Sequence, residues 1–261
     1  MLCLCLMSCN SEEEIHDKPL VLDTDIYLLG DEEYAEFTAL GVSEVTGDLH
    51  IDLTTVTDLS DLKDLIKVGG DFHIGTNRKL TSLIGLEQLQ SIDGTFYING
   101  ENAIEHLSGL DALLTIGGDF VIRSAKVLKS MEGFGALNHI GGSMSINNNS
   151  HLESLANFKS LTTIGGNLIF YRNSKLISID GLETLTTIGG AFKCNWNAVL
   201  TSLNGLENLK TVAGLEITNN AQLTNFCDLQ GIEVTWATII DSNAYNPSLE
   251  VLHTNACEAL H

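Results

Sequence analysis

The fold is decided by a stretch of 24 residues, IGGNLIFYRNSKLISIDGLETLTT, which runs from position 164 to position 187. The stretch opens with an apolar residue followed two positions later by glycine, a triplet that we call the punctuation. The triplet begins again at Ile188 and recurs along most of the chain. Its other copies are Val68-Gly69-Gly70, Ile92-Asp93-Gly94, Ile116-Gly117-Gly118, Ile140-Gly141-Gly142, Val212-Ala213-Gly214 and, more weakly, Val45-Thr46-Gly47. Self-similarity at such a period predicts stacked coils, in which each coil covers the apolar edge of its neighbour.

Each repeat predicts one short strand. Leu168 and Phe170 alternate with their neighbours in the period of two that is typical of strands. Apolar residues then follow at spacings of three, which suits a short irregular or 3₁₀-like return path better than a long helix. The corresponding inward pairs in other repeats are Phe72/Ile74, Phe96/Ile98, Phe120/Ile122, Met144/Ile146, Phe192/Cys194 and Leu215/Ile217.

Two further columns recur with the strands. Asn follows the second inward residue by three positions, where its amide can bond to the backbone of the adjoining coil. This column contains Asn77, Asn149, Asn173, Asn197 and Asn220, and is interrupted by Glu101 and Ala125. Glycine recurs on the return path, and its replacement by Asp61 and Asn157 predicts a left-handed backbone there, since Asp and Asn tolerate positive φ. The glycines are Gly85, Gly109, Gly133, Gly181 and Gly205.

The repeat resembles the receptor L domain, best at Leu176 to Gly190 and at Leu200 to Leu209. The resemblance covers roughly residues 40–245 and extends to leucine-rich repeats and to bacterial surface lipoproteins. It implies a mainly β fold, a right-handed parallel β-solenoid with one sheet along a face. The repeat number predicts about eight 24-residue coils.

The two ends predict caps for a single solenoid domain over residues 31–261. Residues 31–41 have an acidic first turn and a glycine stop, which predicts a short helix in an N-terminal cap over 31–44. Residues 236–240 continue the register as a final strand within a C-terminal cap over 233–261. Residues 10–30 are expected to form an acidic tether and lead-in.

The first nine residues resemble a truncated lipoprotein signal. Leu6-Met7-Ser8-Cys9 is similar to a bacterial lipobox, in which Cys9 is lipidated after cleavage. The acidic run that follows resembles the surface-export signal of Bacteroidetes lipoproteins. These resemblances imply a surface-exposed protein of the bacterial outer membrane that is attached through lipid only. The alternatives are a chance apolar, Cys-rich terminus and a solvated linker.

Three other cysteines remain. Cys194 occupies an inward strand position, which indicates a small buried hydrophobic residue. Cys227 and Cys257 flank the last coil and could pair in an exported protein. Sequence does not fix the distance between them.

Composition argues against several functions. The chain has 261 residues and a net charge of −21, whereas nucleic-acid binding needs a basic surface. None of the common hydrolase, metalloprotease or phosphate-loop motifs is present. His50 and His73 are predicted to be neighbours, but we find no third metal ligand and interpret them as exposed, unrelated histidines. Asp58, Asp61 and Asp64 lack the pattern of a calcium loop. No catalytic residue, metal or cofactor is therefore predicted.

The outward sheet positions predict a ligand-binding face. Aromatic residues and Arg are favoured in binding hot spots, and aromatic rings also stack on sugars. The predicted ligand-binding residues are Tyr97, Arg123, Ile169, Tyr171, Arg172, Lys193 and Trp196. The alternative is that Tyr171 and Trp196 fold over the solenoid edge and pack locally.

These observations predict a non-enzymatic binding or adhesion lipoprotein that presents its sheet to a protein or a glycan. One alternative is a glycan-active β-helix enzyme, which would need paired carboxylates in a groove. We see no carboxylate column on the outward strand positions. The other alternative is a purely structural protein of the cell envelope.

Overall fold

The computed structural model describes residues 19–100 and 103–254. These residues form a mainly β, parallel solenoid of about nine turns with few helices, which confirms the predicted fold class. None of the helices in the described part has the length and apolarity that crossing a bilayer would require.

The strands and helices follow one another with short connections. The strands are β1 (Leu20–Leu22), β2 (Ile26–Leu28), β3 (Val42–Val45), β4 (Leu49–Ile51), β5 (Lys67–Val68), β6 (Phe72–Ile74), β7 (Ser91–Ile92), β8 (Phe96–Asn99), β9 (Thr115–Ile116), β10 (Phe120–Arg123), β11 (His139–Ile140), β12 (Met144–Asn147), β13 (Thr163–Ile164), β14 (Leu168–Tyr171), β15 (Thr187–Ile188), β16 (Ala191–Asn195), β17 (Thr211–Thr218) and β18 (Glu233–Asp241). The α-helices are α1 (Asp31–Thr38) and α2 (Leu249–Leu252), and two 3₁₀ helices span Ser60–Leu62 and Cys227–Leu229.

A typical turn contains two strands, where the sequence predicted one. A two-residue strand such as β13 ends at the apolar residue of the punctuation, and the longer strand β14 follows after the glycine corner. Each strand pairs in parallel with its equivalent in the next turn, for instance β13 with β15 and β14 with β16. The two-residue strands could not be predicted, because two residues are too few to show an alternation of apolar and polar side chains. In β17 and β18 the two segments merge into one strand.

The core runs along the axis of the solenoid. The inward strand residues Leu168 and Phe170 are fully buried, as are the return-path residues Leu176 and Leu182. Stacking puts equivalent side chains in contact, so that the rings of Phe96 and its neighbours in adjacent turns lie 5.7–5.8 Å apart. Burial of each such side chain contributes roughly 1.5–3 kcal/mol.

Glycines shape two corners of most turns. Gly181 has a φ of 111°, and its four column equivalents share the positive sign, which confirms the predicted left-handed position. Asp61 and Asn157 do not adopt positive φ, so the argument from these substitutions was wrong. Asp61 instead lies in a 3₁₀ helix. The punctuation glycines have another role: a methyl group on Gly166 would lie 2.9 Å from the Ser143 nitrogen of the preceding turn.

The Asn column forms the predicted hydrogen-bonded ladder. Each side chain accepts from a backbone N–H of the preceding turn and donates to a backbone carbonyl of that turn. Asn149, for example, accepts from Ala125 N–H at 3.0 Å and donates to the Ile122 carbonyl at 3.0 Å. Ala125 has no side-chain amide to offer the preceding turn, but its backbone N–H still donates to Asn149. Asn243 and Asn246 extend the ladder to its end.

The N-terminal boundary differs from the expectation. Residues 20–28 are not a lead-in, because β1 pairs with β3 and β2 pairs with β4. They add a turn to the predicted eight. The sequence did not reveal this turn, because its strands have only three residues each and are separated by the polar residues 23–25. The helix predicted after residue 31 is confirmed as α1, which buries Tyr34 and Phe37, and residues 42–44 of the expected cap belong to β3.

The C-terminal strand predicted at residues 236–240 is confirmed within β18. The expected signal over residues 1–9, the acidic run and Cys257 lie outside the described residues.

Candidate ligand-binding face of the sheet

Arg172 and Trp196 lie immediately after the outer-sheet strands β14 and β16. Their backbones are left-handed, with φ of 56° and 62°, because the chain must bend there to bring the following ladder Asn inside. Four described residues at equivalent positions bend in the same way: Ser124, Asn148, Asn219 and Ser242. Short polar residues tolerate this conformation, whereas a bulky residue costs about 1–2 kcal/mol. Arg172 and Trp196, the two largest side chains among these six positions, therefore lower the stability of the fold locally.

Tyr171, Arg172 and Trp196 form one compact group, which we call the Arg172 cluster. The guanidinium carbon of Arg172 lies 5.0 Å from the Tyr171 ring centroid and 5.9 Å from that of Trp196. Both distances are within the range of cation–π attraction. Both rings therefore contact Arg172, yet 51% of Trp196 remains exposed. The cluster is ordered by its own contacts and still accessible.

The charge of the cluster is not neutralised by the protein. In residues 19–100 and 103–254, neither Arg172 nor Arg123 forms an ion pair. Arg123 is exposed and pairs in register with Asn147, which pairs in register with Tyr171. Two strand spacings, about 10 Å, therefore separate Arg123 from Tyr171. The two guanidinium groups are available to acceptors on a ligand.

Lys193 and Ile169 form the margin of the cluster. They are register partners on β16 and β14. The Lys193 ammonium lies 3.2 Å from a Glu216 carboxylate oxygen, and the other oxygen of Glu216 accepts from the Asn195 amide at 2.8 Å. These half-exposed groups contribute about 0–1 kcal/mol as an ion pair. Lys193 is thus already engaged by the protein.

Tyr97 lies apart from the Arg172 cluster, further along the sheet, as its position in the repeats indicated. Tyr97 is three strands away from Ile169 and belongs to an aromatic row with Tyr27, His50 and His73. Successive ring centroids in this row are 4.7, 5.2 and 4.8 Å apart.

The two histidines of this row are neighbours, as predicted, but they are neither fully exposed nor unrelated. Their Nδ1 atoms lie 3.3 Å apart. Burial, and then the proximity of His50, lower the pKa of His73 below its ordinary value. No group of three or more potential metal ligands occurs within the described residues.

A column of carboxylates does exist, at the corner before each longer strand. One oxygen of Asp48 accepts from Asp71 N–H at 2.8 Å, and one of Asp71 accepts from Thr95 N–H at 2.6 Å. Asp119 repeats the bond to Ser143 N–H. The sequence signal was the recurrence of Asp, Thr, Ser or Asn directly after the punctuation. These carboxylates satisfy the backbone of the next turn, which indicates a structural role.

The cysteines differ in their surroundings. Cys194 is fully buried, as predicted, and burial raises the pKa of its thiol to about 12. Cys227 is disulfide-bonded. Its pairing with Cys257 stays a prediction.

Comparisons with curated proteins and with solved structures gave no match. The family model of the receptor L domain matches residues 137–226, the segment that contains β14, β16 and the Arg172 cluster. Receptor L domains are non-enzymatic binding domains whose ligands are, in general, proteins. Over residues 137–226 the chain is therefore similar to the receptor L domain, a similarity that indicates a ligand-binding role.

Proposed function

We propose that this protein is a non-enzymatic surface lipoprotein that binds a protein ligand through the Arg172 cluster. The observation that carries the proposal is an exposed guanidinium that contacts two aromatic rings and has no carboxylate partner among residues 19–100 and 103–254. Trp, Tyr and Arg are the residues most often found at binding hot spots.

Charge supports the choice of this surface. The chain has 34 acidic and 13 basic residues, so cationic groups are scarce on its surface and Arg172 is one of only three arginines. Its fork of N–H donors matches a carboxylate in two parallel hydrogen bonds. The ligand group expected here is an acidic side chain or a chain carboxylate, flanked by apolar surface that covers the rings.

The shape of the site favours an extended ligand. Four residues occupy equivalent positions on four successive turns: Asn148, Arg172, Trp196 and Asn219. The N–H of each of the first three donates to the carbonyl of the residue that precedes its equivalent on the next turn. Three strand spacings give this row a length of about 14 Å. Such a row offers an amide, a cation, a ring and a second amide in line.

A glycan is the second candidate ligand. The half-exposed Trp196 ring provides a stacking surface for a sugar, and the amides of Asn148 and Asn219 can bond to hydroxyl groups. An acidic glycan would also satisfy Arg172.

An enzyme that cleaves glycans is less well supported. The carboxylates of Asp48, Asp71 and Asp119 are held by backbone N–H groups, and Glu216 is held by Lys193 and Asn195. Glycosidases need a proton donor and a second, free carboxylate. Product release from a polysaccharide panel would contradict this part of the proposal.

Lipid attachment and outer-membrane localisation rest on the resemblance of Leu6-Met7-Ser8-Cys9 to a lipobox. Metabolic labelling with a fatty-acid analogue tests them in the source organism. We expect label in the wild type and none in Cys9→Ser. Equal labelling of both proteins would exclude Cys9 as the site.

The binding proposal is tested on protein and glycan arrays with the purified chain. The double variant Tyr171→Ala plus Trp196→Ala should lose at least about tenfold in affinity for the ligand that the wild type selects. Ile177→Ala is the matched control, because Ile177 is 54% exposed but lies on the return path. Ligands that bind both variants as well as the wild type would overturn the site. No ligand at all would favour a structural envelope protein.

A further inference from the structure

The last strand of the solenoid, β18, is a long edge. It spans nine residues and, in the described part of the chain, pairs only with β17. By contrast, the strands at the first turn, β1 and β2, have three residues each, and α1 packs beside them. Natural proteins protect exposed edges with short strands, Pro, Lys or bulges that twist the edge away. The sequence EVTWATIID of β18 contains no Pro, Gly, Lys or Arg. A bulge interrupts its register with β17 between Val234 and Ala237, but Ala237 to Asp241 pair regularly and form the uninterrupted part of the edge.

The outer backbone groups of β18 follow from its pairing. The Asp241 carbonyl accepts from Asn219 N–H of the preceding turn, so Asp241 directs its carbonyl toward the solenoid. Backbone groups of alternate residues in a parallel strand point to opposite sides. The N–H and C=O groups of Thr238 and Ile240 therefore point away from β17, toward the open edge.

Apolar side chains accompany this open edge. Trp236 is 85% exposed and Ile239 is 54% exposed. Beside Trp236, the small residues Ala191, Gly214 and Ala237 leave a shallow hollow in the sheet face. Exposed apolar residues in a contiguous group mark interaction surfaces.

Charge decides which occupant fits. Glu233 and Asp241 are the two ends of β18, and its centre is uncharged. A second copy paired antiparallel would bring Glu233 against Asp241, and a parallel copy would bring each carboxylate against itself. Like charges directly opposite in a sheet are destabilising. Since the whole chain also carries a net charge of −21, self-pairing is disfavoured.

We propose that β18 binds an extended segment of a partner protein, which adds a strand to the solenoid sheet. The segment has Lys or Arg at both ends and apolar or β-branched residues at alternate central positions. Backbone hydrogen bonds to Thr238 and Ile240 provide affinity, and contacts with Trp236, Glu233 and Asp241 provide selectivity. The hollow is also lined by Lys193 and Glu216, so this surface adjoins the margin of the Arg172 cluster but contains neither Arg172 nor its two rings.

The test uses the whole purified chain and a synthetic peptide of alternating Val and Thr with two Lys at each end. We expect saturable binding by titration calorimetry with a Kd below about 1 mM. The same peptide with N-methyl groups on alternate residues cannot donate hydrogen bonds along one edge, and should bind at least tenfold more weakly. A peptide with Glu in place of Lys should also bind at least tenfold more weakly.

Protein variants locate the site. Thr238→Pro removes the outward N–H at the centre of β18 and should abolish binding, whereas Thr238→Val keeps that N–H and should bind normally. The double variant Glu233→Lys plus Asp241→Lys should reverse the preference between the Lys and Glu peptides. Circular dichroism checks that each variant is folded. If Thr238→Pro does not fold, the methylated peptide and the charge-reversal variant still test whether the peptide binds at β18.

Three outcomes would overturn the proposal. The first is no binding of the Lys peptide at about 1 mM. The second is equal binding of the methylated peptide or, if it folds, by Thr238→Pro. The third is a dimer of the wild type in sedimentation that Thr238→Pro or the charge reversal dissociates, because β18 would then be occupied by a second copy.

Discussion

The Oδ1 atom of Asn197 accepts hydrogen bonds from both the backbone N–H and the side-chain amide of Asn173, at 3.0 and 3.3 Å. The two residues are 24 positions apart and fully buried. Parallel stacking of equal turns places them in contact, and the bonds satisfy backbone groups that water cannot reach. This relationship repeats along the solenoid and links each turn to the next.

Asn173→Ala should therefore be strongly destabilising. The change leaves the Asn149 N–H and the Ile146 carbonyl without the partners they have at 3.1 and 2.8 Å. Each unsatisfied buried group costs about 1–3 kcal/mol, so two such groups should cost about 2–6 kcal/mol in the free energy of unfolding. Urea titration measures it. Asn138→Ala, at an exposed site, is the control, and equal losses in both variants would contradict the ladder's role.

Gly181→Ala should destabilise the return path. Gly181 has a φ of 111°, and an added methyl group would lie 2.5 Å from the Leu155 carbonyl oxygen. The left-handed backbone alone costs about 1–3 kcal/mol, and the close contact adds to it. Gly135→Ala is the matched control, because nothing lies within 4 Å of its added methyl group. The unfolding midpoint should fall in Gly181→Ala and stay constant or rise in Gly135→Ala.

Trp196→Asn should leave the fold as stable as the wild type or more so. The substitution relieves a bulky residue of its left-handed φ of 62°, and Asn already occupies this position in two other turns, at Asn148 and Asn219. About 1 kcal/mol is expected from the relief, offset by the lost ring contact with Arg172. Calorimetry measures the midpoint. A loss above about 2 kcal/mol would show that Trp196 is a packing residue rather than one kept for binding.

Cys194 should not react with thiol reagents in the native protein. Its side chain is fully buried, and burial raises the pKa of the thiol to about 12, so the reactive thiolate is scarce at neutral pH. We expect labelling by iodoacetamide only after unfolding, detected by mass spectrometry of the peptide that contains it. Rapid labelling of the folded chain would mean that the solenoid opens locally at β16.

His73 should make stability depend on pH. Burial and the neighbouring His50 lower its pKa below the ordinary value of 6.5 in the folded state. Between these two values the unfolded chain binds more protons, so the free energy of unfolding falls as pH is lowered through this window. Asp52 and Asp71 oppose the shift and limit its size. His73→Gln should flatten the profile below pH 6.5, whereas the control His139→Gln, at an exposed position, should not.

Much of the fold could be predicted because the same pattern of apolar residues and glycines recurs in most turns. Leu168 and Phe170 alternate as a strand does, and every turn repeats the pattern, so chance alternation is excluded. The short strand β13 and the first turn, formed by β1 and β2, could not be predicted, because two or three residues carry no period. The Asp ladder was also missed, since its position holds Asp, Thr, Ser or Asn.

The candidate site was predicted only in part. The sequence indicated which residues are outward, because outward positions alternate with buried ones. It also placed Tyr97 further along the sheet than Tyr171, because the 24-residue period counts the turns between them. It could not show that Lys193 is engaged by Glu216 while Arg172 has no carboxylate partner in the described part of the chain, because side-chain pairing depends on neighbours in the adjacent turn.

The sequence by itself determined the stack of turns, its buried faces and its glycine corners, because these features arise from local periodicity repeated in register. Only the tertiary structure decided which outward residues meet. The Arg172 guanidinium lies between Tyr171 and Trp196 because a left-handed bend ends both strands at the same edge. The open edge of β18 likewise exists only where no further turn follows in the described chain.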